Sequence, residues 1–310
     1  GGCGQGCVAI LGAAGFLGQR VAKVLAARGL RLRLADRFPV VDPPAGAEVV
    51  TGELLDTLED VIAPDTTAVI NLAAVVSAGA EADFALGYEV NLGGLRAQLE
   101  RCRHLGTQPT FVFTSSLAVF GAVSAVDDET ATMPQSSYGT QKALGELLVN
   151  DYSRRGFIDG RTLRLPTVSI RPGAPNAAAS GFASAILREP LAGVRTNCPV
   201  GEELEIWLAS PRTATAAIVH GFDLAQAELG SWTALNTPGI TVTVRQMVDA
   251  LRRAGGDSSL IAWKREPAVE AIVGSWPARF QTRRANSLGF PAADDLDLLV
   301  STHVNEHVSH

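Results

Sequence analysis

Tyr138 and Lys142 are the residues of this sequence whose types and spacing best suit proton transfer. They stand four residues apart near the start of a predicted helix, so their side chains share one face of it. A free phenol has a pKa of about 10 and is a weak base at neutral pH, but a neighbouring ammonium group favours the phenolate. The pair therefore predicts a tyrosine that removes a proton from a substrate hydroxyl, with both residues beside the cofactor.

Ser116 is the third residue with a predicted catalytic role. It follows a predicted strand at residues 110–114, in a run that reads TSS. Ligands of open parallel sheets bind at the carboxyl ends of the strands. We expect the Ser116 hydroxyl to hold the substrate oxygen beside Tyr138. The alternative is that this serine only caps a turn.

A glycine motif, LGAAGFLG, follows the first apolar run of the chain. Gly12, Gly15 and Gly18 stand three apart between a predicted strand and a predicted helix, which is the context of a dinucleotide site. The first allows a tight turn, the second a close approach to a pyrophosphate, and the third close packing of the helix on the sheet. The helix that begins with Phe16 and Leu17 directs its free amide groups at the phosphates.

Asp36 ends the next predicted strand, eighteen residues after Gly18. An acid in this position accepts hydrogen bonds from the adenosine ribose and repels a 2′-phosphate, so the sequence predicts NAD rather than NADP. The adjacent Arg37 weakens that preference, so NADP is disfavoured rather than excluded. A solvated turn acid is the alternative interpretation.

The elements that must position these residues alternate along the first half of the chain. Apolar runs predict strands, and longer segments with apolar residues at helical spacing predict helices. The alternation predicts an α/β fold with a Rossmann-type doubly wound parallel sheet and a smaller C-terminal substrate-binding region. The predicted strands are residues 7–11, 30–35, 68–72, 110–114 and 162–165, and the predicted helices are 16–27, 81–105 (in two pieces) and 137–155.

The pattern changes after Pro166, where prolines separate short segments. We assign residues 1–168 to a dinucleotide-binding domain, with segments near 204–240 that return to its sheet, and residues 169–310 to a discontinuous substrate-binding region. The candidate returning strands are 205–208 and 232–236, and the later candidate helices are 213–228 and 243–254.

Composition limits the classes of partner. The chain of 310 residues is 46% hydrophobic and 19% charged, with a net charge of -6, which is typical of a globular protein. It contains neither a run of basic residues, nor an apolar stretch of membrane-spanning length, nor a signal-peptide pattern, so we expect no nucleic-acid or membrane partner. Cys3, Cys7, Cys102 and Cys198 match no zinc spacing, and they predict reduced thiols in a cytoplasm and no bound metal.

These features, in this order, resemble the extended short-chain dehydrogenase/reductase family, also described as the NAD-dependent epimerase/dehydratase family. The similarity runs over nearly the whole chain and includes LGAAGFLG, the NLAA run, TSSLAVFG and YGTQK. It implies a homodimer joined through the predicted helices at 81–105 and 137–155. It also implies an enzyme that binds NAD, with a groove lined by Leu72, Ala73 and Ala74.

The same resemblance implies three further residue roles. Asn91 helps to hold the framework of the active site. Glu53 and Leu54 fall where the family places an acid and an apolar residue against the adenine. Glu53 replaces a more usual aspartate.

A narrower similarity points to the substrate. Residues 136–193 and 207–214 are similar to members of the family that oxidise the C2 hydroxyl of a four-carbon sugar acid with NAD, which gives a 2-oxo acid. The chain departs from sugar-nucleotide epimerases in its LASPRTA run, and from dehydratases in Leu117 and Ala118, which replace adjacent acids. A nucleotide-sugar epimerase is the first alternative, and a non-catalytic NAD-binding regulator is the second.

A sugar acid needs a cation for its carboxylate, and arginine is the best bidentate partner. Arg171 and Arg212 are the candidates, and a surface or interdomain salt bridge is the alternative for each. Ser77 and Asn176 are further candidates for substrate contact. Ordinary turn chemistry is the alternative for Ser77.

Overall fold

The protein is described by a computed structural model that covers residues 5–74, 76–173 and 178–308. The strands in chain order are β1 (Cys7–Leu11), β2 (Arg31–Asp36), β3 (Glu48–Thr51), β4 (Thr66–Asn71), β5 (Thr110–Ser116), β6 (Asp159–Leu165), β7 (Thr167–Val168), β8 (Thr196–Cys198), β9 (Glu205–Ala209), β10 (Ala234–Asn236), β11 (Ile240–Thr243) and β12 (Ile261–Trp263). Among the described residues, seven strands form one parallel sheet in the order β10-β6-β5-β4-β1-β2-β3.

Helices cover both faces of this sheet and also build a second region. In chain order they are α1 (Phe16–Ala27), α2 (Leu54–Val61), α3 (Ser77–Ala82), α4 (Phe84–Gly87), a π-helix (Tyr88–Gly93), α5 (Gly94–Leu105), α6 (Ser137–Arg154), α7 (Phe182–Leu191), α8 (Pro211–Asp223), α9 (Gln226–Leu229), α10 (Val244–Arg253), α11 (Pro267–Val273), α12 (Arg283–Ser287) and α13 (Leu296–His307). Short 3₁₀ turns lie at Leu117–Val119, Ala179–Gly181 and Ser258–Leu260.

The strand order reverses between β1 and β4, which makes the sheet doubly wound and confirms the predicted fold class. The side chains of successive residues of β1 lie on opposite faces of the sheet. Ile10 packs in the core with Val21 of α1, whereas Leu11 packs in the other core with Leu99 of α5. Because both faces are buried, β1 is apolar at every position instead of alternating with polar residues. The reversal leaves a crevice at the carboxyl ends of β1 and β4.

The second region has its own core, built from α7, α10 and α13 around residues such as Ile186, Met247 and Leu299. The prediction that residues 205–208 return to the main sheet is wrong, because β9 pairs with β7 and β11 in a separate three-stranded sheet. Strand β6 of the main sheet ends before Pro166. The next strand, β7, belongs to the separate sheet and pairs with β9. Residues 234–236 do return, since β10 pairs with β6.

The remaining differences between the predicted and the observed elements concern single strands and helices. Strand β3 was not predictable, because its residues are largely exposed and lack an apolar alternation, and helices such as α2, α7 and α13 were also not predicted. The predicted helix at 81–105 is divided at Asp83 and contains the π-helix. Within the described ranges, no helix combines the length and the apolar character needed to cross a membrane. The domain boundaries at 168 and 169 stay a prediction.

Candidate active site

A cleft follows the carboxyl ends of β1, β4 and β5 and has two parts. The outer cavity has a volume of about 560 Å³, and its lining includes Asp36, Glu53 and Leu54. The inner cavity has a volume of about 210 Å³, and its lining includes the three predicted catalytic residues. The two cavities are continuous because they share four lining residues, Gly12, Gly15, Leu72 and Ala74.

The glycine loop closes one side of the cleft, and it has no room for side chains. Gly12 has a φ of +82°, and a Cβ on it would lie 2.8 Å from the Ala73 backbone nitrogen. A Cβ on Gly18 would lie 2.8 Å from the Ala13 Cα, so this glycine lets α1 pack directly on the loop. Gly15 caps α1 without any side-chain hydrogen bond, and the first turn carries no acid. Free amide groups and the absence of negative charge at this helix start suit a pyrophosphate.

Asp36 lies at the outer end of the cleft. Its two carboxylate oxygens accept hydrogen bonds from the Ala14 amide at 2.9 Å and the Phe38 amide at 3.0 Å. Each oxygen keeps lone-pair capacity for a ribose hydroxyl, so the residue fits the adenosine of a dinucleotide. The neighbouring Arg37 forms an exposed ion pair with Glu53 at 3.5 Å, so the Glu53 carboxylate offsets the positive charge of Arg37 at the rim of the cleft.

Ser116, Tyr138 and Lys142 meet at the end of β5. The Ser116 hydroxyl lies beside the Tyr138 phenol and acts to lower its pKa, and Ser116 accepts from the Ala118 amide at 3.1 Å. The Lys142 Nζ atom donates to the Thr114 carbonyl at 2.7 Å and lies 5.6 Å from the centre of the Tyr138 ring. The side chains that the sequence placed on one helix face and one strand end are therefore brought together.

The protonation chemistry of this group differs from the expectation. Burial raises the pKa of Tyr138, and the Arg171 guanidinium and the Ser116 hydroxyl offset part of that rise. Arg171 is thus a cation that favours the Tyr138 phenolate, a role that the sequence did not indicate for it. Burial also lowers the pKa of Lys142 to about 8, against the opposing effect of the Glu146 carboxylate. Lys142 is buried and Tyr138 is half-buried, so each is more easily kept neutral than in water.

Arg171 and Ser77 line the inner cavity, as predicted for substrate contacts. The backbone of Arg171 is fixed from both sides, because its amide donates to Ser184 and its carbonyl accepts from Arg188. Ser77 is buried and its hydroxyl oxygen accepts from the Ala179 amide at 3.0 Å, which joins the loop after β4 to the second region.

Arg212 and Asn176 are not brought to this cavity. Arg212 is half exposed, lines neither part of the cleft, and pairs with Asp294 at 3.0 Å. The surface ion pair weighed from the sequence is therefore what the structure has at Arg212. Asn176 lies outside the described residues.

Asn91 supports the site from behind. It is buried in the π-helix, and its side-chain nitrogen donates to the Gln141 side chain at 2.8 Å. Gln141 lies on α6 directly before Lys142, so this bond fixes the catalytic helix. The contact agrees with the framework role implied by the resemblance, and Asn91 is not part of the lining of either cavity.

Trp276 is a wall of the inner cavity that the sequence did not indicate. Its indole N–H is buried and has no acceptor among the described residues. A buried donor without a partner costs about 1–3 kcal/mol of stability. A ligand oxygen that accepted a hydrogen bond from this N–H would remove that cost. The residue lies more than a hundred positions after Tyr138, and no local pattern connects the two.

A glycine-lined helix start, a ribose-binding acid and a Ser–Tyr–Lys group on one sheet edge define a Rossmann-type, NAD-dependent oxidoreductase. The sequence pattern of the NAD dependent epimerase/dehydratase family matches residues 8–237. The chain belongs to this family, and its cofactor is NAD. The predicted family, cofactor and enzyme class are confirmed.

Two curated relatives and one solved structure are similar to this chain over at least nine tenths of its length. The chain is 51% identical to a D-erythronate dehydrogenase of Cupriavidus necator, over 96% of this chain and 98% of the relative. It is 44% identical to a D-erythronate dehydrogenase of Haemophilus influenzae, over 91% and 94% of the two chains. A solved nucleoside-diphosphate-sugar epimerase from Agrobacterium tumefaciens is 38% identical with a TM-score of 0.87, over 97% and 94% of the chains.

Proposed function

We propose that this protein oxidises the C2 hydroxyl of D-erythronate, or of a closely similar small sugar acid, to the 2-oxo acid. The observation that carries the proposal is the inner cavity, which combines the Ser116 and Tyr138 hydroxyls with the half-buried cation of Arg171. Such a cavity suits a substrate that presents a hydroxyl beside a carboxylate. The identity to the two D-erythronate dehydrogenases supports the choice of substrate.

The roles of the residues follow from their positions. NAD, when bound, supplies the acceptor for the hydride that leaves C2. Ser116 holds the substrate hydroxyl, and Tyr138 removes its proton. Lys142 holds the nicotinamide ribose, while Asp36 holds the adenosine ribose and the start of α1 holds the pyrophosphate.

Arg171 is proposed as the partner of the substrate carboxylate. It lines the cavity with Tyr138, burial lowers the pKa of its guanidinium, and the described residues that line the cavity include no carboxylate. A substrate carboxylate would relieve that cost with a charge-assisted bond. Ser77 is placed to contact the substrate or the nicotinamide, and the proposed contact of Asn176 stays a prediction.

Replacing Tyr138 by phenylalanine tests the proposal. Because the phenol oxygen is lost, we expect Tyr138→Phe to lose at least about 100-fold in turnover of D-erythronate, the range typical of a general base. NAD binding, followed by fluorescence titration, should be retained. Tyr152→Phe is the matched control, since Tyr152 lies on the same helix but packs against Phe157 outside the cleft. Near wild-type turnover of Tyr138→Phe would remove the phenol from the mechanism.

An epimerase of nucleotide sugars is the second candidate, and the 38% identical solved structure favours it. Steady formation of NADH from D-erythronate, and none from a nucleotide sugar, supports the dehydrogenase. Interconversion of nucleotide sugars without net NADH supports the epimerase instead. A dehydratase is not favoured, because Leu117 and Ala118, which follow Ser116, are buried apolar residues and supply no acid for the elimination of water.

We also propose a homodimer in the cytoplasm. Exposed apolar side chains lie on α4 and α6, two helices that contact each other, as a helical dimer interface requires. The main examples are Phe84, Leu144 and Leu147. Light scattering that gives the mass of one chain would contradict the dimer. Three buried cysteines without a disulfide, Cys7, Cys102 and Cys198, support a reducing compartment.

A further inference from the structure

A buried ion pair lies behind the Tyr138–Lys142 group and lines neither cavity of the cleft. Glu146 is 1% exposed and Arg164 is 5% exposed. The guanidinium binds the carboxylate through two nitrogens, with Nη2 at 2.7 Å from Oε1 and Nε at 3.0 Å from Oε2. The geometry is bidentate, and a pair this dry is costly unless its charges stay balanced.

Consecutive residues of β5 connect this pair to the catalytic group. Tyr138, Lys142 and Glu146 follow one another at one-turn spacing on α6 and share a face. The Thr114 carbonyl accepts from Lys142, and the next residue, Ser115, donates its hydroxyl to Glu146 at 2.7 Å. Ser116 follows and lines the inner cavity together with Tyr138. The strand end and the helix are thereby joined at two successive turns, and Glu146 is the only one of these described residues that carries a negative charge.

Arg164 has further contacts that fix it on the far side of Glu146. One nitrogen donates to the Asn236 side chain at 3.3 Å, and the guanidinium lies 4.9 Å from the centre of the Phe120 ring. The carboxylate therefore binds one cation directly, the Arg164 guanidinium, and acts through space on a second, the ammonium of Lys142 on the preceding helical turn.

The other charged or titratable groups near Lys142 are few among the described residues. Tyr138 lies one turn before it on α6, and Arg171 faces the same cavity from the segment after β7. Glu81 of α3 accepts from the Ser137 amide at the start of α6, further from the ammonium. Glu146 is thus the carboxylate whose charge favours the protonated form of Lys142.

We propose that Glu146 and Arg164 form a positioning pair whose charge balance sets how firmly Lys142 holds its proton. As an ammonium, Lys142 donates to the Thr114 carbonyl and keeps two further N–H groups and a positive charge for the cofactor ribose, as the proposed function requires. Burial leaves its pKa, at about 8, little above neutral. A change in the neighbouring charge therefore decides whether the group is protonated at the pH at which the enzyme works.

A direct titration of Lys142 tests the proposal. The chain has three lysines, and the other two, Lys23 and Lys264, are exposed and serve as internal references. The protein is produced with isotope-labelled lysine, and the side-chain NMR signals are followed against pH without cofactor or substrate. Because no substrate is used, a failure of the proposed function with D-erythronate would leave this measurement intact.

Two substitutions should move the Lys142 midpoint in opposite directions. Arg164→Gln leaves the Glu146 charge to Lys142 alone, so the midpoint should rise by about one pH unit. Glu146→Gln combined with Arg164→Gln removes both charges, so the midpoint should fall by about one unit. The double variant is preferred to Glu146→Gln alone, which would leave two buried cations without a carboxylate, whereas in Arg164→Gln the Glu146 carboxylate keeps the Ser115 hydroxyl and the charge of Lys142.

Controls separate charge from structure. Ser115→Ala removes the hydroxyl that donates to Glu146 but changes no charge, and it should leave the midpoint nearly unmoved. In the active enzyme, the alkaline limb of kcat should shift with the NMR midpoint of each variant. Midpoints that move in the same direction in both variants, or in neither, would overturn the proposal. If the double variant fails to fold, a midpoint in Arg164→Gln that does not rise overturns it alone.

Discussion

Arg171 decides two properties of the site at the scale of single residues. Its guanidinium opposes the effect of burial on the pKa of Tyr138, and it is the cation of the inner cavity proposed to bind the substrate carboxylate. We expect Arg171→Met to raise KM for D-erythronate by about 10- to 100-fold, because a hydrogen bond to a charged group contributes about 1.5–3 kcal/mol. NAD affinity should change little. Initial rates over a range of D-erythronate concentrations measure the effect.

Arg212→Met is the matched control for Arg171. This arginine pairs with Asp294 near the surface and lies outside the cleft, so its loss should leave KM unchanged. If Arg212→Met raised KM and Arg171→Met did not, the assignment of the carboxylate partner would be reversed.

At the scale of elements, the fit of α1 against the glycine loop controls the cofactor site. We expect Gly18→Ala to weaken NAD binding by at least about tenfold, since the new Cβ would lie 2.8 Å from the Ala13 Cα and displace the helix start. The free energy of unfolding should fall by about 1–3 kcal/mol for the same reason. NAD titration and urea unfolding measure the two effects.

Gly93→Ala provides the comparison for that substitution. It is also a helical glycine, but its nearest neighbour to an added Cβ lies at 3.7 Å, so it has room for a methyl group. Equal losses of NAD affinity in the two variants would mean that close packing of α1 is not the cause.

The same scale shows which features the sequence could predict. The glycine loop, Asp36 and the Tyr138–Lys142 pair were predictable because each depends on residues near in sequence and on the alternation of strands and helices. The partner of β9 was not, because Glu205–Ala209 is apolar enough for either sheet. The surface position of Arg212 was not predictable either, because its partner Asp294 is eighty-two residues away in the sequence.

At the scale of the whole molecule, α13 joins the last part of the chain to the core of the second region, through Leu299 and Val300. His303 on this helix is 7% exposed, and its Nδ1 atom has no partner among the described residues. Burial, and then the neighbouring His307 and Arg188, lower the pKa of His303 from 6.5 to about 4. The folded protein therefore holds this ring neutral.

The consequence is a loss of stability in acid. As pH falls through about 6.5, the unfolded chain takes up the proton before the folded one, so stability present above that pH is lost progressively towards pH 4. Between about pH 7.5 and pH 5 this histidine should account for about 2 kcal/mol of the lost free energy of unfolding. His303→Phe keeps a buried ring without the titration, so urea unfolding at the two pH values should show a smaller loss by that amount. An unchanged pH dependence in His303→Phe would mean that other groups cause the acid sensitivity.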